Sequence, residues 1–458
     1  MNNRELPPYL DEIRERLQKT GPLKFMDGSE VYPEEIFETH LKSLKGYTHY
    51  GDPSFDYTLA NAFKHRYLQM TIEKRAKKMR EKGMPVLFSF WAFPDLIIGS
   101  GGTLIGPVPC GSEISLADNL ALKEEGHRFT SFESCPMEPA IALYIRDGKL
   151  PVDLTVYMTG MADVPCILNL LRRYPDIPLF CVCIPYSGKG KPWALEYLAD
   201  QLHTFVQKIG EIRGSRVTDE ELRNGIRMMN QMRRSFREYI DIFNSAETPP
   251  IAGLEYNLVK SVGSVEPGDP VAIRCANEQL NEELRERVRK GIIPPTMRER
   301  PLRIYVCGLI IVSPPAHSFV ESLGGIFVGP ECFDADFLSG DVDEKGDPYE
   351  AVARWWLEQR SWSSPCRDLE ERTEWLIKTL RRYNPDGVIC AAIWGCQMEP
   401  PYARYLADKI EEKLGIPTML IDQDDIPDVE VGEDGRFRMK GDTRTRIEGF
   451  MEILHARR

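Results

Sequence analysis

Asp153-Leu-Thr-Val-Tyr-Met158, then Cys166 to Arg173, then Ile177-Pro-Leu-Phe-Cys-Val-Cys-Ile184, then Trp193 to Ile212 is the stretch whose reading decides the fold. It reads as strand, short helix, strand and long helix. Strands alternating with helices of this length imply βαβ units and a parallel sheet. Upstream, Pro85-Val-Leu-Phe-Ser-Phe-Trp91 reads as another buried strand. Before it, Leu59 to Lys82 is dense in good helix formers, and Gly83 supplies a C-terminal stop. Downstream, Thr218 to Ala246 reads as a long polar helix ended by Pro249-Pro250. A charged helical connector, Asn277 to Lys290, leads to Pro294-Pro295. The alternation then restarts at Leu302-Arg-Ile-Tyr-Val-Cys-Gly-Leu-Ile-Ile-Val312. A helix is expected after Pro315, a strand at Gly325 to Val328, and helices at Tyr349 to Glu358 and Leu369 to Tyr383. Strand Gly387 to Ile393, helix Tyr402 to Leu414, strand Thr418 to Ile421 and helix Thr443 to His455 complete the series. The expected fold is α/β, with two doubly wound parallel-sheet domains of Rossmann or flavodoxin-like type. The expected division is a helical N-terminal segment at 1–82, a first α/β domain at 83–250, a helical connector at 251–300 and a second α/β domain at 301–458.

A chain of 458 residues is long enough for two or three domains. Hydrophobic residues at 42% and charged residues at 28% are ordinary for a globular protein and exclude wholesale disorder. The formal net charge of -12 argues against nucleic acid and against an anionic membrane surface as partners. The most apolar stretch, Val86 to Cys110, is broken by Pro94, Asp95 and several glycines, whereas a span needs about 20 mostly apolar residues. The N-terminus is charged and has no apolar core of a signal peptide, so the expected compartment is the cytoplasm.

Two glycine-rich loops look like nucleotide motifs and fall short. Gly99-Ser-Gly-Gly-Thr-Leu104 has leucine at the last glycine position and follows an apolar run carrying Pro94. Ser187-Gly-Lys-Gly-Lys191 lacks the Gly-Lys-Ser/Thr ending, so ATP hydrolysis by this chain is not expected. The 7 histidines show no metal spacing, which argues against a zinc site. The 11 cysteines, odd in number, are not a disulfide framework. Cys181, Cys183, Cys307 and Cys390 fall inside expected strands and read as core packing. Cys110, Cys135 and Cys396 fall in loops, and Cys166 falls where strand 153–158 gives way to a helix. Cys166 and Cys396 follow strand carboxyl ends, one in each α/β domain, where such sheets bind ligands. Three cysteines from separate loops at one cleft would suit an iron–sulfur cluster with one iron left open, although scattered cysteines are usually structural.

An ordered series then becomes specific. It runs Cys332, Gly346-Asp-Pro-Tyr-Glu-Ala-Val-Ala-Arg354, Pro365-Cys366, Asp386-Gly-Val-Ile389, Cys396 and Gly441-Asp-Thr-Arg-Thr-Arg-Ile-Glu-Gly-Phe450. With Gly83-Met-Pro-Val86, Phe93-Pro-Asp-Leu-Ile97 and Cys135-Pro136, it resembles the D-component of the 2-hydroxyacyl-CoA dehydratase and benzoyl-CoA reductase family over roughly residues 55–458. The resemblance implies a 4Fe–4S cluster on three cysteines and a homologous second subunit. It also implies a separate ATP-hydrolysing iron–sulfur activator and an acyl-CoA substrate. Cys135 and Cys396 match two ligand positions. The family's Thr-Cys-Asp motif reads here as Thr159-Gly-Met-Ala-Asp163, with Met161 at the cysteine position. Cys166 is the nearest substitute, with Pro165 before it suited to a first helical turn, and Cys110 is its rival. The cysteine often found in the first motif is replaced by Phe90 or Trp91.

The chemistry that the resemblance implies is removal of a non-acidic β-proton from a 2-hydroxyacyl thioester. One electron on the thioester carbonyl gives a ketyl radical anion, which expels the 2-hydroxyl and leaves a far more acidic β-proton. Trp394 fits either a water-excluding wall or plain core. His127 and Ser134 are candidates for proton transfer, a role that isolated residues of these types fill less often than a structural one. Two other roles stay open: a subunit of a benzoyl-CoA-type reductase, and a non-catalytic structural subunit of such a complex.

Overall fold

Strands without a polar face must be covered on both sides, and the inner strands here have none. The computed structural model describes residues 10–46, 58–89, 92–106, 124–125, 152–158, 178–185, 188–265, 267–308, 313–359, 369–393, 400–423, 429–433 and 437–458. Leu23–Lys24 (β1) and Glu30–Val31 (β2) form a short antiparallel pair. The first parallel sheet comprises Val86–Ser89 (β3), Thr103–Ile105 (β4), Leu154–Met158 (β5) and Leu179–Val182 (β6), in the order β4-β3-β5-β6. The second comprises Leu302–Cys307 (β7), Gly325–Phe327 (β8), Gly387–Ile393 (β9) and Thr418–Gln423 (β10), in the order β10-β9-β7-β8. Val429–Val431 (β11) and Phe437–Met439 (β12) pair antiparallel. Both parallel sheets share one winding rule. The chain enters an inner strand, steps outward on one side, then crosses back to lay two strands on the other. The winding therefore reverses between β3 and β5 in one sheet and between β7 and β9 in the other.

The two parallel four-stranded α/β units match the expected class, and most element ends follow local chemistry. Thr218 caps helix Asp219–Asn244 in a capping box, its hydroxyl taking the Glu221 N–H while the Glu221 carboxylate takes the Thr218 N–H at 2.8 Å. Gly83 ends its helix with φ +79°. The single helix expected over 59–82 is instead two, Ala62–Met70 and Ile72–Glu81. Thr71 stands at the break, its hydroxyl bonded back to the Tyr67 carbonyl at 2.6 Å. The connector helix begins at Pro270, seven residues before Asn277, because Asp269 caps it through the Ala272 N–H at 2.9 Å. Helix Glu331–Leu338 was not expected from the sequence, and helix Gly253–Ser264 falls within the helical connector expected over 251–300, ahead of the Asn277–Lys290 helix placed there. The helix expected over 349–358 is Pro348–Arg354, continued by a π turn at Trp355–Gln359.

That last segment matters for packing. Val352, Trp355 and Trp356 join the apolar core formed by β3, β5 and helix Pro192–Arg213. Residues from the C-terminal half of the chain thus complete the core of the first sheet. Helix Asp219–Asn244 packs on helices Pro94–Gly99, Pro270–Lys290 and Glu331–Leu338. Its contact with Pro94–Gly99 is backbone on backbone. A Cβ on Gly225 would meet Gly99 N at 2.4 Å, and one on Gly99 would meet Leu222 Cα at 2.7 Å.

Candidate functional site

Cys135, Cys166, Cys396 and Cys110 lie outside the described residues, as do Phe90, Trp91, Met161, Trp394, His127 and Ser134. Strands that precede some of these residues in the chain are described. β3 ends at Ser89, just before Phe90; β5 ends at Met158, just before Thr159; β9 ends at Ile393, three residues before Cys396. All three are strands at which the winding reverses, and in open α/β sheets the crevice outside those carboxyl ends is where ligands bind.

At the carboxyl end of β3 the structure leaves a small crevice, with room for about one water. Ser89 and Leu104 bound it from the first sheet, Met229, Met232 and Arg233 from helix Asp219–Asn244, Asp336 and Phe337 from helix Glu331–Leu338, and Trp355 and Trp356 from the π turn. Ala92 and Pro94 also line it, at the start of the Phe93-Pro-Asp-Leu-Ile97 segment. Phe93 takes φ +53°, a left-handed conformation costly for a bulky residue, and its ring packs 5.0 Å from Trp356. This places Pro94 at the first helical position and turns Asp95 inward. The buried Asp95 carboxylate accepts two hydrogen bonds from Arg233, at 2.8 and 2.7 Å. Arg233 Nη1 also donates to Asn230 Oδ1 at 3.0 Å, and Trp355 covers the guanidinium at 4.8 Å. The neighbouring carboxylates outweigh burial and raise the Arg233 pKa further, so the guanidinium stays charged. Across the cleft, Asp336 accepts a hydrogen bond from the Ser264 hydroxyl.

Helix Glu331–Leu338 ties this cleft to the second sheet. Its 8 residues span about 12 Å at the usual helical rise. At its first turn Glu331 accepts the Gly308 N–H, at the carboxyl end of β7, at 3.2 Å. The same carboxylate takes both ends of the Arg372 fork, at 3.0 and 2.8 Å. In its middle, Asp334 accepts from Lys260 Nζ at 3.0 Å, the Tyr383 hydroxyl at 2.8 Å and the Tyr305 hydroxyl at 3.0 Å. Burial drives the Lys260 pKa down and the Asp334 pKa up, while their pairing opposes both shifts. At its last turn Asp336 and Phe337 reach the cleft. One short helix thus runs from one reversal point to the cleft beside the other. None of Arg233, Lys260, Glu331, Asp334 and Arg372 was singled out from the sequence.

The described cysteines are placed differently from one another. Cys307 and Cys390 are register partners on β7 and β9, both buried as expected, and burial raises the Cys307 thiol pKa well above its usual value. Cys181 and Cys183 were expected to be buried, but both are partly exposed, Cys181 on β6 at the edge of the sheet formed by the described residues and Cys183 just past its end. Among the described residues, no three His, Cys, Asp or Glu side chains group so as to hold a metal ion. The Gly99–Leu104 segment leads from helix Pro94–Gly99 into β4, the reverse of a dinucleotide loop. Among the described residues, no helix is long and apolar enough to cross a membrane.

An open parallel α/β protein with its pocket at a reversal point is a ligand-binding architecture that many activities share, so residue-level likeness decides further. The family model of the 2-hydroxyglutaryl-CoA dehydratase D-component matches residues 91–454. The chain belongs to that family, as a dehydratase D-component subunit. A search of curated proteins finds no match.

Proposed function

We propose that this chain is the cluster-bearing subunit of an oxygen-sensitive, ATP-activated 2-hydroxyacyl-CoA dehydratase. It would work in the cytoplasm with a partner of the same fold and a separate ATP-hydrolysing iron–sulfur activator. The observation that carries this reading is the coincidence of the cysteine loops with the reversal points. Cys166 and Cys396 follow β5 and β9, the strands just past the reversal in each sheet. Thiolates are the ligands that 4Fe–4S clusters take, and Cys135, Cys166 and Cys396 offer three of them. When bound, such a cluster supplies one electron and, at its open iron, a Lewis acid for the thioester carbonyl.

The remaining work falls to the chain's own side chains. Trp355, Trp356, Phe337 and Met232 line the crevice and make the surface beside the carboxyl end of β3 apolar. The Asp95–Arg233 pair fixes the wall on which Trp355 lies. We assign the first α/β domain to 83–250 and the second to 301–458, joined by the connector at 251–300.

The test is turnover. The anaerobic chain, combined with its partner subunit, activator, ATP and a 2-hydroxyacyl-CoA, should yield the 2-enoyl-CoA, read by chromatography of the thioesters. Reduction of an aromatic thioester without dehydration would instead assign it to a benzoyl-CoA-type reductase. The absence of iron together with activity of the partner without this chain would leave it a structural subunit, a role that Met161 at the cysteine position favours.

A further inference from the structure

We propose that Cys181 and Cys183 are a redox-active thiol pair, which a low-molecular-weight disulfide converts to an intrachain disulfide and a small thiol converts back. Both thiols are free and both are partly exposed, whereas Cys307 and Cys390 in the second sheet are buried. Cysteines of an apolar strand are ordinarily core packing. Exposure of both members opens this pair to small thiols and disulfides.

Strand alternation brings the two side chains together. Phe180 and Val182 pack into the core that helix Pro192–Arg213 covers, while Leu179 and Cys181 pack on the core of the other face. Cys183 follows on the Cys181 face. The two thiols act on each other: burial first, then the charge and the side-chain hydrogen bond of Cys183, raise the Cys181 pKa. Alternate residues of a strand lie about 6.6–6.8 Å apart at Cα, the upper end of the span that a disulfide bridges. Cys183 stands just past the end of β6, and Gln201 of the helix holds its backbone there. The Cys183 N–H donates to Gln201 Oε1 at 2.7 Å, and its carbonyl accepts from Gln201 Nε2 at 2.8 Å. A bridge over the single residue Val182 is strained, and strained or exposed disulfides are the readily reduced ones. The exchange is balanced. One cysteine thiolate attacks the small disulfide and expels a small thiol; the second displaces the other small thiol. Two protein S–H bonds and one small S–S bond are lost, and one protein S–S bond and two small S–H bonds form.

The experiment incubates the anaerobically purified full chain with glutathione and glutathione disulfide at set ratios, quenches with acid and maps the cysteines by mass spectrometry. Trypsin releases Tyr174–Lys189, in which Cys181 and Cys183 are the only cysteines. As the share of glutathione disulfide rises, this peptide should lose two hydrogens without gaining glutathione, and excess glutathione should restore it. Cys181→Ser and Cys183→Ser should each stop at a glutathione adduct, at least about tenfold more abundant than in the wild type, because the neighbouring thiol that clears it is gone. A stable adduct on the wild-type peptide, or no change in it at any ratio, overturns the proposal. So does oxidation that appears only together with modification of the buried Cys307 and Cys390, since the thiols would then react through unfolding.

Discussion

Replacing Asp95 by leucine should be among the most damaging single changes this protein can suffer. The side chains of Asp95 and Arg233 are 0% and 3% exposed, and two hydrogen bonds at 2.8 and 2.7 Å join them. Removing the carboxylate leaves a buried guanidinium with the Asn230 carbonyl oxygen, the Trp355 ring and the more distant Asp336 and Asp341 carboxylates as its described partners. Breaking a buried pair from one side costs about 3–5 kcal/mol, most of it the penalty of the unpaired charge. The same reasoning predicts that Asp95→Leu combined with Arg233→Met is less damaging than Asp95→Leu alone, because no charge is then left buried. Urea unfolding followed by far-ultraviolet circular dichroism measures both variants against the wild type, with the midpoint shift converted through the slope. A cost below about 1 kcal/mol for Asp95→Leu, or costs in the double variant that simply add, would refute the view that this pair holds the cleft wall.

Gly225→Ala should destabilise by about 1–3 kcal/mol, as overpacking does, since its Cβ would meet Gly99 N at 2.4 Å; a neutral result in the same unfolding assay would mean that the two helices separate freely. Acid should weaken the fold through His65 and His317, both buried, with burial pressing each pKa down to about 3. An unfolded imidazole charges near 6.5, so the unfolded state binds protons first. Stability is full above about pH 6.5 and falls toward pH 3 by about 1.4 kcal/mol per unit for each ring. Asp269, pushed up to about 6 by burial, acts with the opposite sign as pH falls toward its unfolded value. His65→Leu isolates one ring's share: the slope of stability against pH between 4 and 6 should flatten by about 1.4 kcal/mol per unit, and an unchanged slope would contradict the assignment.

Much of the α/β frame was legible because its signals are local. Helix Leu369–Tyr383 and strand Gly387–Ile393 stand where apolar periodicity places them. The Gly346-Asp-Pro segment has a plain structural role, Asp347 capping helix Pro348–Arg354 through the Tyr349 and Glu350 N–H groups at 3.0 and 2.9 Å. Helix Glu331–Leu338 escaped, and helix Gly253–Ser264 was read only as part of a helical connector, because their polar residues face inward. Glu255, Asn257, Lys260, Glu331 and Asp334 are all buried, so no apolar stripe marks a face. The partners that make such burial tolerable are far off in sequence. Asp95 and Arg233 are 138 residues apart, Lys260 and Asp334 are 74, and Glu331 and Arg372 are 41. No window-based reading joins them. The cleft shares that origin, since the Trp355–Trp356 wall comes from a segment some 260 residues beyond β3. The cysteines were read as motif positions and lie outside the described residues; β5 and β9 end eight and three residues before Cys166 and Cys396.

Iron and acid-labile sulfide per chain in the anaerobically reconstituted protein and its serine variants test the central claim most directly. The wild type should hold about four irons, with a brown colour that air destroys and a paramagnetic resonance signal on reduction. Cys135→Ser, Cys166→Ser and Cys396→Ser should each lose most of that iron, while Cys110→Ser keeps it. A colourless wild type without iron would contradict a cluster in this subunit. Full iron and an unchanged signal in Cys166→Ser, with loss of both in Cys110→Ser, would move the third ligand to Cys110.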